Sequence, residues 1–407
     1  MKFLVLTSRP IQSRYSGYDL RVANLCAYLP GEAHLVIAPL LPVIEPQPTI
    51  TVDAIFDSVE KLPALLVDRK SVRRHLRLSD SHFLERTGPA AFAAARARLR
   101  AIVREREITQ VVVFGGNLAE LASTLDRPDM LLDVCDSTSL TVRRELEWFA
   151  HSPTGLRRWQ GRLALHRSRS TEARFPERFR HVTTISAQDS REVVELHGSS
   201  TNVHTIPNGV DESFVGPLPD PGLRRGVVFW GNLGFGPNIE ALWFFVHEVY
   251  LPILRSADVE LCIVGADAPS WLTELAAREP RVVVTGFVAD LRAVVTPYPI
   301  MVNPMRTGSG LKNKVLEAFG LGLAVVSTPL GMEALPAVRD GAHYVGATDA
   351  AAFGSAVLEL LSDEAHRRAI RGQANALLHQ YYRWEVVAKA WQALFGCDPT
   401  VTDRPES

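Results

Sequence analysis

Short apolar runs that alternate with helical patterns most restrict what this 407-residue chain can fold into. The apolar run Phe3–Thr7 leads through a polar loop into helically spaced apolar residues over Leu20–Leu29, and His34–Ala38 is apolar again. This strand–helix–strand order predicts parallel strands joined by helical crossovers. Further strand-like runs follow at Gln110–Phe114, Met130–Val134 and His181–Ile185. Strands that alternate with helices in this way predict a parallel sheet covered on both faces.

The strand–helix pattern restarts after Pro207-Asn208-Gly209, a turn signal at the head of a Pro/Gly-rich stretch that reaches Gly222. The later strand-like runs are Gly226–Trp230, Val259–Val264, Arg281–Val284, Ile300–Asn303 and Leu323–Ser327. We therefore predict an N-terminal Rossmann-like domain over residues 1–206 and a second over 207–378. A C-terminal helix and tail over 379–407 are expected to pack back toward the first domain. Two such sheets leave a cleft in which ligands bind.

Composition and charge exclude several classes of function. Lys plus Arg (44) nearly balance Asp plus Glu (45), so no global charge favours nucleic acid as a partner. The cysteines at 26, 135, 262 and 397 form no CxxC pair, and Cys135 and Cys262 lie in apolar runs typical of a core. The apolar start of the chain is too short for a signal peptide, and no window of ~18 apolar residues occurs. We expect a cytoplasmic protein.

The most informative segment begins where an apolar strand ends at Asn303-Pro304 and a glycine-rich turn follows. Gly308 and Gly310 permit positive φ and a close approach of the backbone to a ligand. A helix is predicted to begin near Leu311, and its unpaired N–H groups and positive dipole end favour a phosphate. The cations beside this turn are Arg306, Lys312 and Lys314.

Glu317 lies about one and a half turns inside the same predicted helix. Its carboxylate repels phosphate but accepts hydrogen bonds from vicinal hydroxyls such as those of a ribose. Cations for phosphate together with one carboxylate for sugar hydroxyls predict a nucleotide-sugar site. The alternative is that Gly-Ser-Gly is only a tight turn and that the lysines form a solvated helix face.

The stretch from Pro304 through Leu330 resembles the retaining GT-B glycosyltransferases of family four, the glycosyl transferases group 1. It is most similar to the subgroup with a Gly-Ser-Gly-x-Lys-x-Lys donor loop. Further similar segments are Pro207–Asp211, Phe229–Leu233, Pro237-Asn238, Val264-Gly265, Thr285–Asp290 and Ala324–Thr328. The resemblance implies two Rossmann-like domains whose parallel sheets face each other across a cleft. It also implies transfer of a sugar from a UDP-sugar or GDP-sugar to a hydroxyl acceptor, with retention of configuration and without a metal or other cofactor, in polysaccharide or glycoconjugate biosynthesis.

The same resemblance assigns roles to individual residues. Glu317 would bind the ribose, Phe287 and Val288 the base, and Gly17, in the loop after the first strand, would lie near the phosphates. The remaining donor-binding residues would be Gly231, Asn232, Gly308, Ser309, Gly310, Leu311, Lys312 and Lys314.

The sequence departs from the family pattern at two places. Ser309 stands where the family carries the first of two glutamates, which puts carboxylate recognition of the donor sugar in doubt. The usual Arg and Lys after the first strand of the second domain are missing, and Asn232 and Asn238 occupy that region. Arg306, Lys312 or Lys314 must then neutralise the diphosphate, and we expect Arg306 and Lys314 to act in catalysis.

Asp136 follows the predicted strand Met130–Val134 and is the candidate that orients, or as a base polarises, an acceptor hydroxyl. The alternative is that Asp136 or Ser137 caps the next helix. Asp133 is interpreted as structural. Phe114-Gly115-Gly116-Asn117 is expected to form backbone of the cleft rather than an ordinary helix entry.

Three further patterns bear on partners and cofactors. Gly231–Gly236 has G-x-x-G-x-G spacing rather than G-x-G-x-x-G, which argues against a nicotinamide cofactor. The histidines show no H-E-x-x-H pattern, so no metal site is predicted. Residues 155–181 hold eight arginines against two glutamates, which fits either peripheral contact with the inner membrane face or a solvated helix surface.

We expect as partners a nucleoside-diphosphate sugar and a small-molecule, glycan or lipid-linked acceptor. Two other functions stay open at this point. One is a nucleotide-sugar epimerase of the same fold, although the sequence offers no convincing acid–base pair for it. The other is a non-catalytic sugar-nucleotide-binding relative, for which Ser309 at the usual glutamate position is an argument.

Overall fold

A computed structural model describes residues 1–12, 16–40, 50–66, 83–125, 129–148, 155–216, 218, 224–308 and 310–396. Cys397 and residues 217 and 219–222 of the predicted linker lie outside these ranges. The chain divides into two compact units, Met1–Pro207 together with the segment from Val387 onward, and Asn208–Val386. We refer to them as unit 1 and unit 2.

Unit 1 is built on a seven-stranded parallel sheet with the strand order β3-β2-β1-β4-β5-β6-β7. The strands are β1 (Lys2–Thr7), β2 (Glu32–Ile37), β3 (Ser58–Lys61), β4 (Gln110–Phe114), β5 (Met130–Cys135), β6 (His181–Thr184) and β7 (Val203–Thr205). The central strands β1 and β4 are buried along nearly their whole length, as expected when helices cover both faces of a sheet.

The helices of unit 1 follow the strands in chain order. They are α1 (Gly17–Ala27), α2 (Phe83–Thr87), α3 (Pro89–Glu105), α4 (Ala119–Ala122), α5 (Thr138–Trp148), α6 (Gly155–Glu172), α7 (Phe175–Arg178) and α8 (Ala187–His197). Ser16 caps α1 by accepting a hydrogen bond from the amide of Asp19. Pro89 begins α3, where a residue without an N–H is tolerated.

Unit 2 contains a six-stranded parallel sheet with the order β10-β9-β8-β11-β12-β13. Its strands are β8 (Gly226–Trp230), β9 (Glu260–Val264), β10 (Val282–Val284), β11 (Ile300–Asn303), β12 (Ala324–Ser327) and β13 (Val345–Gly346). Its helices are α9 (Gly236–Phe244), α10 (Ser270–Arg278), α11 (Leu291–Val295), α12 (Asn313–Gly320), α13 (Pro329–Met332), α14 (Ala350–Ser362) and α15 (Glu364–Tyr381). A π-helical segment, Phe245–Leu254, continues α9.

The last helix, α16 (Trp384–Gln392), begins in unit 2 and ends in unit 1. Its Trp391 is fully buried in unit 1, 6.2 Å from the ring of Phe114 and 5.0 Å from that of Phe395. Phe395 in turn contacts Phe3 at 5.3 Å. The C-terminal segment therefore contributes aromatic rings to the core around β1 and β4.

The interior of unit 1 also holds an ion pair. Asp133 on β5 accepts hydrogen bonds from the guanidinium of Arg21 on α1 at 2.9 and 2.7 Å and from Thr183 Oγ1 at 2.7 Å. Both charged side chains are at most 1% exposed. The structural interpretation of Asp133 is confirmed, because the carboxylate joins α1, β5 and β6.

Candidate functional site

The site in unit 2 forms where β8 and β11, which are adjacent parallel strands, reach the same edge of the sheet. Gly308 and Gly310 have φ of 93° and 69°, so the predicted positive φ is confirmed at both glycines. Helix α12 begins at Asn313, two residues later than predicted, and buried Leu311 precedes it. A Cβ at Gly308 would lie 3.5 Å from Pro237, which shows that the loop lies against the start of α9. Ser309 lies outside the described residues.

Lys314 lies between this loop and the loop after β8. Its Nζ donates a hydrogen bond to Asn238 Oδ1 at 2.8 Å and lies 4.1 Å from the ring centroid of Phe229. The Asn238 side chain is buried, and its Nδ2 donates to the backbone oxygen of Asn232 at 2.8 Å. One amide group therefore ties the first turn of α12 to the loop after β8.

Gly231 leaves the space that this arrangement needs. Its φ is 150°, and a Cβ there would lie 2.8 Å from Asn238 Nδ2 and 3.4 Å from Lys314 Nζ. The side chain of Asn232 is exposed and accepts a hydrogen bond from the amide of Gly234 at 2.7 Å, which closes a tight turn. Gly231 and Asn232 therefore shape the backbone around the lysine.

The surroundings of Lys314 disfavour its charged form. Burial and, to a smaller extent, the charge of Lys312 lower the pKa of Lys314 to about 7, although Glu317 acts in the opposite direction. An anion placed against Nζ would favour the protonated lysine. The neutral amine of Lys314 is thus expected to take up a proton when a phosphate binds.

Glu317 lies one turn further along α12 and is half-buried. Burial raises the pKa of its carboxyl, while a hydrogen bond that Trp230 Nε1 donates to Oε2 at 2.6 Å acts in the opposite direction. Oε1 accepts no hydrogen bond from any residue that the structure describes. Sequence reasoning missed Trp230, although its position at the end of β8 placed it beside this helix.

The other two predicted cations are engaged within unit 2. Arg306 donates to Glu240 Oε1 from Nε at 2.8 Å and from Nη2 at 2.6 Å, and its guanidinium lies 4.0 Å from the ring of Phe244. Its charge is therefore compensated by Glu240, and a role of Arg306 with the diphosphate stays a prediction. Lys312 is 9% exposed, and its Nζ donates to the carbonyl of Gly310 at 2.8 Å. That bond folds the loop back on itself.

Phe287 and Val288 follow β10, two strands away from β8. Phe287 is 62% exposed and Val288 is partly buried. Backbone hydrogen bonds join the loops at this edge, from the Gly231 amide to Val264 O and from the Gly265 amide to Gly286 O, both at 3.0 Å. The loops after β8, β9 and β10 thus form one continuous edge.

In unit 1 the structure corrects one prediction, because Gly17 is the first residue of α1 rather than a loop residue. Ser137 caps α5 by accepting a hydrogen bond from the Leu140 amide at 3.2 Å, which agrees with the alternative interpretation of this turn. Asp136 is exposed. The Ser137 amide donates to Asp189 Oδ1 at 2.8 Å, which holds this turn in place. Asp136 stands at the carboxyl end of β5, and its role with an acceptor stays a prediction.

The basic segment 155–181 forms α6, α7 and the turns around them. Trp159 is 56% exposed, and the side chains of Arg158, Arg162 and Arg169 are exposed as well, whereas Phe175 is buried. Contact of this face with a membrane stays a prediction. Within the described ranges no helix has the length and hydropathy of a membrane span, and no three His, Cys, Asp or Glu side chains are grouped as metal ligands.

Comparison with known proteins places this site in context. Residues 224–363, which include Gly231 and Glu317, match the family model of glycosyl transferases group 1. An uncharacterized 44.6 kDa protein in the cps region of Klebsiella pneumoniae is 24% identical over 165 residues. That match spans 38% of this chain and 42% of the relative, so less than half of the relative's length is matched.

Three solved structures are similar over 97% of this chain. Anabaena Alr3699/HepE in complex with UDP has 14% identity and a TM-score of 0.68, and all of that chain is covered. Sucrose-phosphate synthase from Thermosynechococcus elongatus has 14% identity, a TM-score of 0.70 and 98% coverage. WaaG, a glycosyltransferase involved in lipopolysaccharide biosynthesis, has 12% identity, a TM-score of 0.63 and full coverage. Together with the two parallel sheets, these similarities show that the chain has the GT-B fold, as predicted.

Proposed function

We propose that this protein transfers a glycosyl group from a nucleoside-diphosphate sugar to a hydroxyl acceptor, with retention of configuration. The observation that carries the proposal is the position of Lys314 beside the glycine-lined entrance of α12, with the carboxyl of Glu317 one turn away on the same helix. A cation next to unpaired helix amides suits a diphosphate. A carboxylate oxygen to which no described residue donates a hydrogen bond suits a ribose hydroxyl.

The family model supports the reaction class, because it covers the segment that contains all of these residues. The solved complexes of Alr3699/HepE with UDP, with UDP and glucose, and with UDP-glucose make a UDP-sugar the first donor to test. The base would then lie at the loop of Phe287 and Val288, on the same sheet edge as Gly231.

Departure of the diphosphate is the demanding step, because negative charge grows on the β-phosphate as the glycosidic bond breaks. Backbone N–H groups at the start of α12 and the protonated Lys314 would stabilise that charge, since they are already held in place before the reaction. Asp136 would orient the acceptor hydroxyl. An acceptor that attacks the face from which the diphosphate leaves can pass its proton to the phosphate, so neither a protein nucleophile nor a metal is needed.

Calorimetric titration of the purified protein with UDP tests this assignment. We expect Lys314→Ala to bind UDP at least about tenfold more weakly, a loss of about 1.4 kcal/mol. Lys389→Ala, which removes an exposed lysine of α16 in unit 1, is the matched control and should bind like the parent. Equal affinity of Lys314→Ala and the parent protein would show that the phosphate site is elsewhere.

Product analysis with UDP-sugars then separates the candidate functions. Transfer to an added acceptor supports the proposal, and NMR of the product's anomeric centre reports retention. Conversion of the nucleotide-sugar in the absence of acceptor would indicate an epimerase. Binding without turnover over a broad acceptor screen would indicate a non-catalytic relative.

A further inference from the structure

A second pocket lies in unit 1, beside the loop that follows β4. Its volume is about 180 Å³, and its apolar wall is formed by Leu40, Leu66, Phe83 and Leu84. Leu66 and Leu84 are 4% exposed, so this wall belongs to the core. The loop side of the pocket begins at Gly116. The pocket therefore lies at the carboxyl edge of the sheet, where α/β folds bind ligands.

The lining of the pocket also contains cationic side chains. Arg174 and Arg178 line it, and both side chains are partly buried. In the part of the chain that the structure describes, neither guanidinium forms an ion pair or a hydrogen bond. Thr171 also lines the pocket, and its hydroxyl oxygen is buried without a hydrogen-bond partner. Uncompensated charge beside an apolar wall favours an anionic ligand.

The one carboxylate in the pocket wall is committed to the backbone. Glu120 accepts hydrogen bonds from the amides of Leu84 and Glu85 at 2.8 and 3.0 Å. The carboxylate therefore lies at the start of α2, where backbone N–H groups stabilise a negative charge. Glu120 fixes the apolar wall in place, and the two arginines outweigh its charge, so the lining carries a net charge of +1.

Close packing holds the cationic side against the loop. A Cβ at Gly116 would lie 2.8 Å from Cζ of Phe175, a residue that is 2% exposed. Phe175 begins α7, so Arg174 precedes this anchor and Arg178 ends the same short helix. The backbone of both arginines is therefore anchored beside the loop that follows β4.

We propose that this pocket binds an organic anion, a phosphate or carboxylate carried on a small apolar body, with Arg174 and Arg178 as the anion-binding residues. A buried apolar cavity of about 150 Å³ accepts a molecule the size of benzene. The pocket thus has room for a short alkyl chain or an aromatic ring against its leucines. The anion would be part of the acceptor, a point that rests on the proposed transferase function.

Hexyl phosphate is a suitable probe, because it joins one phosphate to one short alkyl chain. Calorimetric titration is expected to show binding to the wild-type protein and at least tenfold weaker binding to Arg174→Gln/Arg178→Gln. Arg162→Gln/Arg169→Gln, on the exposed side of α6, removes the same charge and should bind like the wild type. Inorganic phosphate keeps only the anionic group of the probe, and 1-hexanol keeps only its alkyl chain. Each should bind at least tenfold more weakly than hexyl phosphate.

Further variants separate this pocket from the diphosphate site. Lys314→Ala should bind hexyl phosphate like the wild type, and Arg174→Gln/Arg178→Gln should bind UDP like the wild type. The two binding sites are therefore tested independently of each other. Leu40→Trp, which fills the apolar side, is expected to weaken hexyl phosphate as strongly as loss of the arginines, and thermal melts confirm folding. The proposal is overturned if Arg174→Gln/Arg178→Gln binds hexyl phosphate as tightly as the wild type, or if UDP displaces the probe.

Discussion

The proposed contact of Lys314 with the diphosphate predicts that the affinity for the donor depends on pH. The pKa of its ammonium is about 7 without ligand, and a bound diphosphate raises it because the opposite charge favours protonation. Above pH 7 the binding reaction must therefore take up a proton. We expect the affinity for UDP to fall between pH 7 and 9, by at most about tenfold per pH unit.

Titration calorimetry at pH 7, 8 and 9 measures this dependence, and Lys314→Ala should lose most of it. The stability of the ligand-free fold changes with pH in the opposite direction. An unfolded lysine keeps its proton to about pH 10.4, whereas the native Lys314 loses its proton near 7, so stability without ligand rises with pH across that window. An affinity for UDP that stays constant up to pH 9 would contradict the assignment.

Asn238 is the residue that positions Lys314, and its replacement by Asp tests that role. The new carboxylate would lie at the place of Oδ1, 2.8 Å from Nζ, and an opposite charge at this distance raises a lysine pKa by about 1–3 units. We expect Asn238→Asp to bind UDP more weakly at pH 7 and to shift the fall in affinity to higher pH. Asn238→Ala should weaken binding without such a shift. Identical pH profiles for the two variants would rule out the contact.

For single residues, the sequence predicts the backbone conformation better than it predicts the hydrogen-bond partners of the side chains. The positive φ of Gly308 and Gly310 follows from their residue type and from the turn they occupy. The pairing of Arg306 with Glu240 joins residues 66 positions apart, and no local pattern indicates it. The bond from Trp230 to Glu317 spans 87 positions and depends on which strands are neighbours in the sheet.

Among the elements, α1 and β5 are joined by the buried pair of Arg21 and Asp133. Asp133→Asn leaves the Arg21 guanidinium buried without a counter-charge, which typically costs about 3–5 kcal/mol. We expect a loss of this size in the free energy of unfolding, measured by urea denaturation. Asp129→Asn breaks a more exposed ion pair with Arg180 and should cost less than about 1 kcal/mol.

A double variant distinguishes loss of charge compensation from loss of packing. Arg21→Met/Asp133→Leu removes both charges and should be less destabilised than Asp133→Asn, because no buried ion remains unpaired. If Asp133→Asn is as stable as the wild type, the pair does not hold α1 against β5.

The elements that sequence patterns predicted are those with continuous apolar runs. β1, β4, β8 and β11 coincide with predicted runs to within a residue or two, because a strand buried on both faces requires consecutive apolar side chains. β3 was not predicted because Ser58–Lys61 alternates and contains a single apolar residue, and β13 has only two residues. The π-helical segment after α9 contains Pro252 within an apolar stretch, and apolar spacing alone does not reveal a π-turn.

Across the whole chain, the fold follows from the repeated strand–helix order, but the two ligand sites do not follow to the same extent. The glycine turn and the lysines at 312 and 314 are neighbours along the chain, so the amino-acid sequence alone indicates the proposed phosphate site. The pocket of unit 1 brings together Leu40, Leu84, Gly116 and Arg174, which are distant in sequence. Such a site exists only once the crossovers are arranged around the sheet.

The C-terminal segment tests the division of the molecule into two units. Trp391→Ala removes a fully buried ring between Phe114 and Phe395 in unit 1 and should cost about 3–5 kcal/mol of local stability. Amide hydrogen exchange reads this stability separately in β1 and β4 of unit 1 and in β8 and β11 of unit 2. We expect faster exchange in the first pair and unchanged exchange in the second.

Val386→Ala, five residues earlier on α16 and 37% exposed, is the control and should change stability by less than about 0.5 kcal/mol. UDP binding should survive in both variants, because the residues around Lys314 belong to unit 2. If Trp391→Ala accelerates exchange in β8 and β11 as much as in β1 and β4, the two units do not behave as separate cooperative bodies, since loss of one core would then open both.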